Sequence, residues 1–131
     1  MKMLDTTSFE NAITSLNSIL ARYAREHDND IRDAVIQRFE YTYSLAIKMI
    51  TRFINLQANE EVVTMTFNET IRIANKMGIL RSDLVKWTTY RQMRNATSHT
   101  YDETVANDVL GVIPDFKDEA EFLLVRLKEL I

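Results

Sequence analysis

Two glycines and one proline in 131 residues constrain this chain more than any other feature. Sheets and their tight turns consume both residue types, whereas long helices exclude them, so the scarcity favours helices joined by few corners. The length suits one domain with one real core, residues 1–131. The apolar share of 46% and charged share of 27% are ordinary for a globular protein. No cysteine is present, which removes disulfides and thiolate chemistry and suits a reducing cytoplasm. Met1 to Thr6 lead into a polar, amphipathic stretch with no apolar core of a signal peptide, and no run approaches the length of a membrane helix. A net charge of −3 argues against duplex DNA as a partner, but not against a local basic site for a nucleic-acid end or a nucleotide.

The spacing of apolar residues predicts the elements. Phe9, Ile13, Leu16, Leu20 and Tyr23 recur at three and four, giving a first helix capped at Thr7 or Ser8 and ended by the polar run Arg25 to Asp30. Asn29 or Asp30 then caps a longer helix to about Gln57. Its stripe is Val35, Phe39, Thr42, Ala46, Met49 and Phe53, widened by Leu45, Ile50 and Ile54, so it is expected to be central. Gln57 to Met65 reads as a loop. Thr66 and Glu69 have capping-box spacing, Ile71, Ala74 and Met77 point inward, and Gly78 stops a short helix. A fourth helix starts near Ser82 and carries Val85, Trp87, Tyr90 and Met93. The last segment, from about Glu103, contains Gly111 and Pro114, so a kink or break is expected there before a final helix through Phe122, Val125 and Leu130. The fold class is all-α, an antiparallel up-and-down bundle of four to five helices.

One stretch departs from the core-and-surface pattern. Arg91 to Asp102 gathers two arginines, an asparagine, three hydroxyl residues, a histidine and a tyrosine where the helical stripe fades. From Arg81 to Tyr101 there are four basic residues and one acid; from Asp102 to Glu121, seven acids and one lysine. Arg94 and His99 would sit about 140° apart on an unbroken helix. Their convergence therefore requires the helix to end or distort near Thr97 or Ser98, residues whose side chains compete for backbone hydrogen bonds. The pair suits phosphate chemistry. Arginine offers a fixed fork to phosphate oxygens, and histidine exchanges a proton near neutrality. Together they would cleave RNA without a metal or cofactor, and a two-fold dimer would bring a second histidine for the leaving oxygen. The plainer alternative is a helix cap and a surface histidine.

These residues also carry a resemblance. Arg94-Asn95-Ala96-Thr97-Ser98-His99-Thr100-Tyr101 resembles the HEPN signature, and its fuller R-x4-H-x-Y form is similar to the HEPN toxins paired with minimal nucleotidyltransferase antitoxins. The run Val35 to Lys48 (VIQRFEYTYSLAIK) and Ser98 to Glu103 (SHTYDE) resemble the branch called nucleotidyltransferase substrate-binding proteins. The similarity extends from about Phe9 to Leu130. It implies a helical bundle, a homodimer, a cognate minimal nucleotidyltransferase and an RNA or nucleotide ligand. It implies ribonuclease roles for Arg94 and His99, an orienting role for Asn95, and Tyr101 as the tyrosine that the partner modifies with AMP. Ile47 stands where the family commonly has tryptophan, a departure that concerns packing.

Other candidates are weighed beside these. Asp28-Asn29-Asp30 has the spacing of a nucleotidyltransferase metal pair but lacks the glycine-serine turn before it, and reads as a helix cap. His27 reads as solvated. Arg38, Glu40, Tyr41 and Ser44 lie on or beside the polar flank of the second helix and read as the boundary between solvent and core; the alternative is that Glu40 or Arg38 supports the site. Trp87 reads as core, and the acidic run after Asp102 as a solvated face. Two functions follow: a metal-independent ribonuclease, or a non-catalytic subunit that holds a substrate or nucleotide for the partner enzyme.

Overall fold

The computed structural model describes residues 4–58 and 64–131. Among the described residues there are five α-helices: α1 Thr7–Glu26, α2 Asn29–Ala58, α3 Phe67–Lys76, α4 Leu84–Ala96 and α5 Glu103–Leu130. A single 3-10 turn over Thr97–His99 follows α4. Most of the predicted loop after Gln57 lies outside the described residues.

Cross-helix contacts set the topology. Glu10 pairs with Lys128 and Asn17 bonds to Glu121, so α1 and α5 run antiparallel. Tyr43 packs on Trp87 while Glu40 reaches Arg94, which makes α2 and α4 antiparallel as well. Arg32 meets Glu103 and Phe39 meets Phe116, so α2 and α5 share a direction. The result is an up-and-down bundle with α3 as a short crosspiece between α2 and α4. At 30 residues, α2 is the longest element and packs on α1, α3, α4 and α5. Its expected stripe is buried throughout, from Val35 through Phe39, Thr42, Ala46 and Met49 to Phe53.

The corners show which residues do the capping. The cap position of α1 is Thr6, not Thr7 or Ser8, and its side chain makes no capping bond; the Asp5 carboxylate accepts the Thr7 N–H at 3.0 Å instead, which holds that carboxyl below its ordinary range. His27 takes the left-handed conformation (φ 47°) and donates its N–H to the Tyr23 carbonyl, ending α1. Asp28 then caps α2, accepting from the N–H groups of Asp30 at 2.7 Å and Ile31 at 3.3 Å, one residue earlier than the sequence suggests. The Thr66–Glu69 capping box forms in both directions, at 3.1 and 3.2 Å. Gly78 (φ 77°) stops α3, and Asp83 caps α4.

Two expectations for the last helix are corrected. First, Pro114 does not divide it; α5 runs unbroken from Glu103 to Leu130. Pro114 is exposed, so the Leu110 carbonyl that loses its donor lies toward water rather than in the core. Second, the buried face is Ala106, Val109, Ile113, Phe116, Ala120, Leu123 and Leu127, while Val125 and Leu130 are exposed. Leu123, Leu124 and Val125 are consecutive apolar residues, and only packing on α1 and α2 selects among them. Val85 of α4 is likewise exposed rather than inward.

Gly111 sits on the outer side of α5, where an added Cβ would meet nothing within 4 Å. Gly111→Ala is expected to stabilise the fold by about 0.5–1 kcal/mol by removing backbone entropy from the unfolded chain. Thermal unfolding checks this; a lower midpoint would contradict it.

Candidate functional site

α4 loses α-helical geometry where the chemistry-bearing residues begin. It ends at Ala96, the 3-10 turn takes Thr97 to His99, and Asp102 caps α5 by accepting the Thr104 N–H at 2.9 Å. The distortion expected near Thr97 or Ser98 is therefore present. Its cause is local. The hydroxyls of Thr97, Ser98 and Thr100 each bond back to a carbonyl three residues earlier, at 2.7, 3.4 and 3.2 Å, competing with the helix ladder.

Thr97 is also the link to α2. Its Oγ1 lies 2.7 Å from Glu40 Oε2 and 2.7 Å from the Arg94 carbonyl, so one hydroxyl proton is shared between two acceptors. The other Glu40 oxygen stands 3.8 Å from Arg94 Nη2. That distance is an ion pair but too long for a hydrogen bond, so it leaves the donors of the Arg94 fork available. Glu40, named from sequence as a support, does join Arg94. Thr97, a buried member of the same cluster, was legible only as the point of distortion.

His99 and Tyr101 occupy the corner between α4 and α5. Both are exposed, Tyr101 at 85%, and their rings meet edge to face with centroids 6.1 Å apart. Among the described residues, Arg94 and His99 form no hydrogen bond to one another; Arg94 faces Glu40 while His99 faces Tyr101. Asn95 is exposed, and its carbonyl accepts from Ser98.

The rest of the basic run does not surround this corner. Arg81 reaches Asp115 at 2.9 Å, and its backbone N–H donates to Glu119 at 2.8 Å. Lys86 pairs with Asp115 at 3.2 Å, and Arg91 stacks over Phe67 at 4.6 Å. The acids after Asp102 are correspondingly not a simple solvated face: Glu103 pairs with Arg32, Asp115 serves α4, and Glu119 is fully buried. Part of the charge segregation in the sequence is consumed where Arg81, Lys86 and Tyr90 meet Asp115 of α5. Burial raises the Tyr43 hydroxyl to about 12, opposed by Arg91 and Arg94.

Asp115 is held below the ordinary carboxylate range, first by the hydrogen bond from the Tyr90 hydroxyl, then by Lys86 and Arg81. A depressed folded value stabilises the protein above the unfolded range near pH ~3.9, and that contribution disappears as acid protonates the folded group. Asp115→Asn is thus expected to lower the melting temperature at pH 7 and to narrow its gap from the parent in strong acid. A constant gap across an acid titration of thermal melts would contradict this.

The family described as "nucleotidyltransferase substrate binding protein like" matches residues 4–129, a span that takes in α1 to α4, the α4–α5 corner and all but the last residue of α5. The chain belongs to that family. A Haemophilus influenzae protein named "Probable ribonuclease HepT" is 40% identical over 96 residues, covering 72% of this chain and 65% of the relative, slightly less than two thirds of its length. A solved Haemophilus influenzae structure, described as revealing the fold of a substrate binding domain of a nucleotidyltransferase, superposes with a TM-score of 0.88 at 30% identity, covering 95% of this chain and 99% of that one. A crystal structure from Thermus thermophilus gives 0.73 at 29% identity, covering 91% and 98%. The HEPN-branch resemblance and the helical fold are borne out. Among the described residues, no helix is long and apolar enough to cross a membrane, and no three His, Asp or Glu side chains cluster as a metal site.

Proposed function

We propose that this protein is the ribonuclease member of a two-protein module and that a minimal nucleotidyltransferase controls it. His99 removes the proton from a ribose 2′-hydroxyl. The 2′-oxygen attacks phosphorus, the bond to the 5′-oxygen breaks, and the products are a 2′,3′-cyclic phosphate and a 5′-hydroxyl. Arg94 holds the charge that builds on the phosphoryl oxygens. Glu40 and Thr97 orient Arg94, and Asn95 lines the same corner. The leaving oxygen takes its proton from the histidine of a second subunit in a homodimer.

The observation that carries this reading is the α4–α5 corner. The helix gives way at Thr97, His99 stands exposed, and Arg94 is held by an ion pair too loose to occupy its donors. The ribonuclease name of the 40% identical relative supports it. Tyr101 is the proposed AMP acceptor. An adenylate on its hydroxyl would place negative charge and bulk against His99, across the ring contact described above.

The test is a digest of RNA by the purified chain in the presence of a chelator, with the new ends analysed. Cyclic phosphate ends are the expected result. The second reading, a non-catalytic subunit that presents a substrate to the transferase, draws on the family description and the related solved structure. It is favoured instead if the chain binds its transferase and leaves RNA intact.

A further inference from the structure

We propose that the cleft between α1 and the outer face of α2 is a subsite for single-stranded RNA beside the cleavage site, with Arg38 anchoring a phosphate and Tyr41 stacking a base. The inference deepens the ribonuclease reading and rests on it. The motivating observation is Arg38. Five arginines show no carboxylate within 4 Å among the described residues, and the other four, Arg25, Arg52, Arg72 and Arg91, are exposed. Arg38 is the one of these that is partly buried. A half-buried cation without a counter-ion is unfavourable unless something else meets its charge.

Its neighbours hold it in place without neutralising it. Nε donates to Ser15 Oγ at 2.8 Å and Nη1 to the Ala34 carbonyl at 3.3 Å. A guanidinium carries five N–H donors, so donors remain for a ligand on a side chain whose direction is already fixed. Two hollows meet at this residue. One, about 220 Å³, lies between α1 and α2 and is lined by Ser8, Asn11 and Ser15 with Arg38 and Tyr41. The other, about 370 Å³, runs along α2 past Gln37, Glu40 and Ser44 with the same Arg38 and Tyr41. Most of the residues lining both carry a neutral hydrogen-bonding group. The one carboxylate, Glu40, is the group that faces Arg94 and Thr97, so the second hollow shares a lining residue with the candidate site.

Tyr41 completes the ligand class. Its ring is 57% exposed on the wall common to both hollows. An aromatic face beside an arginine fork is the pairing that single-stranded nucleic acid uses, base on ring and phosphate on guanidinium.

The experiment measures binding of a fluorescein-labelled single-stranded oligoribonucleotide to full-length His99→Ala protein over a salt series. Adding Arg38→Ala or Tyr41→Ala is expected to weaken binding by roughly tenfold each. The log–log salt slope should fall by about one for Arg38→Ala and hold for Tyr41→Ala. Arg38→Lys keeps the charge and loses the fork, and is expected to fall between parent and alanine variant. In the chain with His99 intact, Arg38→Ala should raise KM for RNA more than it lowers kcat. Parent-like affinity in both alanine variants overturns the subsite and leaves the ribonuclease reading standing. Arg38-dependent binding to the His99→Ala protein, together with no RNA cleavage by the chain with His99 intact, overturns the cleavage reading and supports the subsite. Absence of RNA binding by the parent overturns both. Loss of a dimer in light scattering, in step with loss of binding, overturns the subsite and assigns the cleft to a subunit interface.

Discussion

His99→Ala is expected to slow RNA cleavage by roughly 10²–10⁴-fold, the range associated with losing a general acid or base. Arg94→Ala should cost a comparable factor, because it withdraws the fork that meets charge developing on phosphorus. Neither change should unfold the bundle. His99 is exposed, and its ring contacts Tyr101 at the surface rather than the core. Removing Arg94 leaves Glu40 with its short contact to the Thr97 hydroxyl and with solvent. Initial rates on a labelled RNA, alongside melting curves, separate lost chemistry from lost fold. The double variant should be scarcely slower than either single one, since groups acting on one transition state are not additive. Parent-like rates in both variants would end the ribonuclease reading.

Phe116→Ala is expected to carry the largest stability cost, about 3–5 kcal/mol. Its ring is fully buried and stands among four others: Phe39 at 5.2 Å and Tyr90 at 5.3 Å, both edge-on, with Tyr43 at 6.1 Å and Trp87 at 6.3 Å. Truncation removes the apolar area and leaves a void that no single neighbour can fill. It also removes edge-to-face contacts worth ~0.5–1.5 kcal/mol each. Since small domains hold only about 5–15 kcal/mol in total, the variant should sit close to its unfolding threshold. A denaturant titration provides the measurement. Val125→Ala, on the exposed side of the same helix, should move the midpoint little. Equal shifts for the two would mean that the aromatic cluster is not the centre of the core.

The parts of this architecture that could be read from the chain are those set by local chemistry. The α2 stripe repeats without ambiguity over six positions, and all six are buried. Thr66 and Glu69 satisfy each other within one turn, so their spacing was sufficient to locate the start of α3. The end of α4 was legible because hydroxyl residues gathered at Thr97, Ser98 and Thr100 disfavour a helix interior. What escaped the sequence depends on contacts between distant segments. Nothing near Glu119 signals that a carboxylate would be buried to receive the Arg81 N–H. The basic residues between Arg81 and Tyr101 stand close together in the chain, and nothing local signals that Arg81 and Lys86 are matched by Asp115 of α5. The register of the last helix failed where adjacent apolar residues offered more than one face. At the site, Arg94, His99 and Tyr101 were visible as a motif, and Glu40 only as a flank residue. The Thr97 link that joins Glu40 to Arg94 crosses from one helix to another and has no local signature.

The prominence of Tyr101 has a kinetic corollary. A phenol that stands clear of the bundle can be reached by a macromolecular catalyst, or by a small electrophile, with every helix in place. Its derivatisation should therefore proceed at a rate indifferent to mild urea. Tyr43 and Tyr90, sealed in the interior, should react only as fast as the bundle opens.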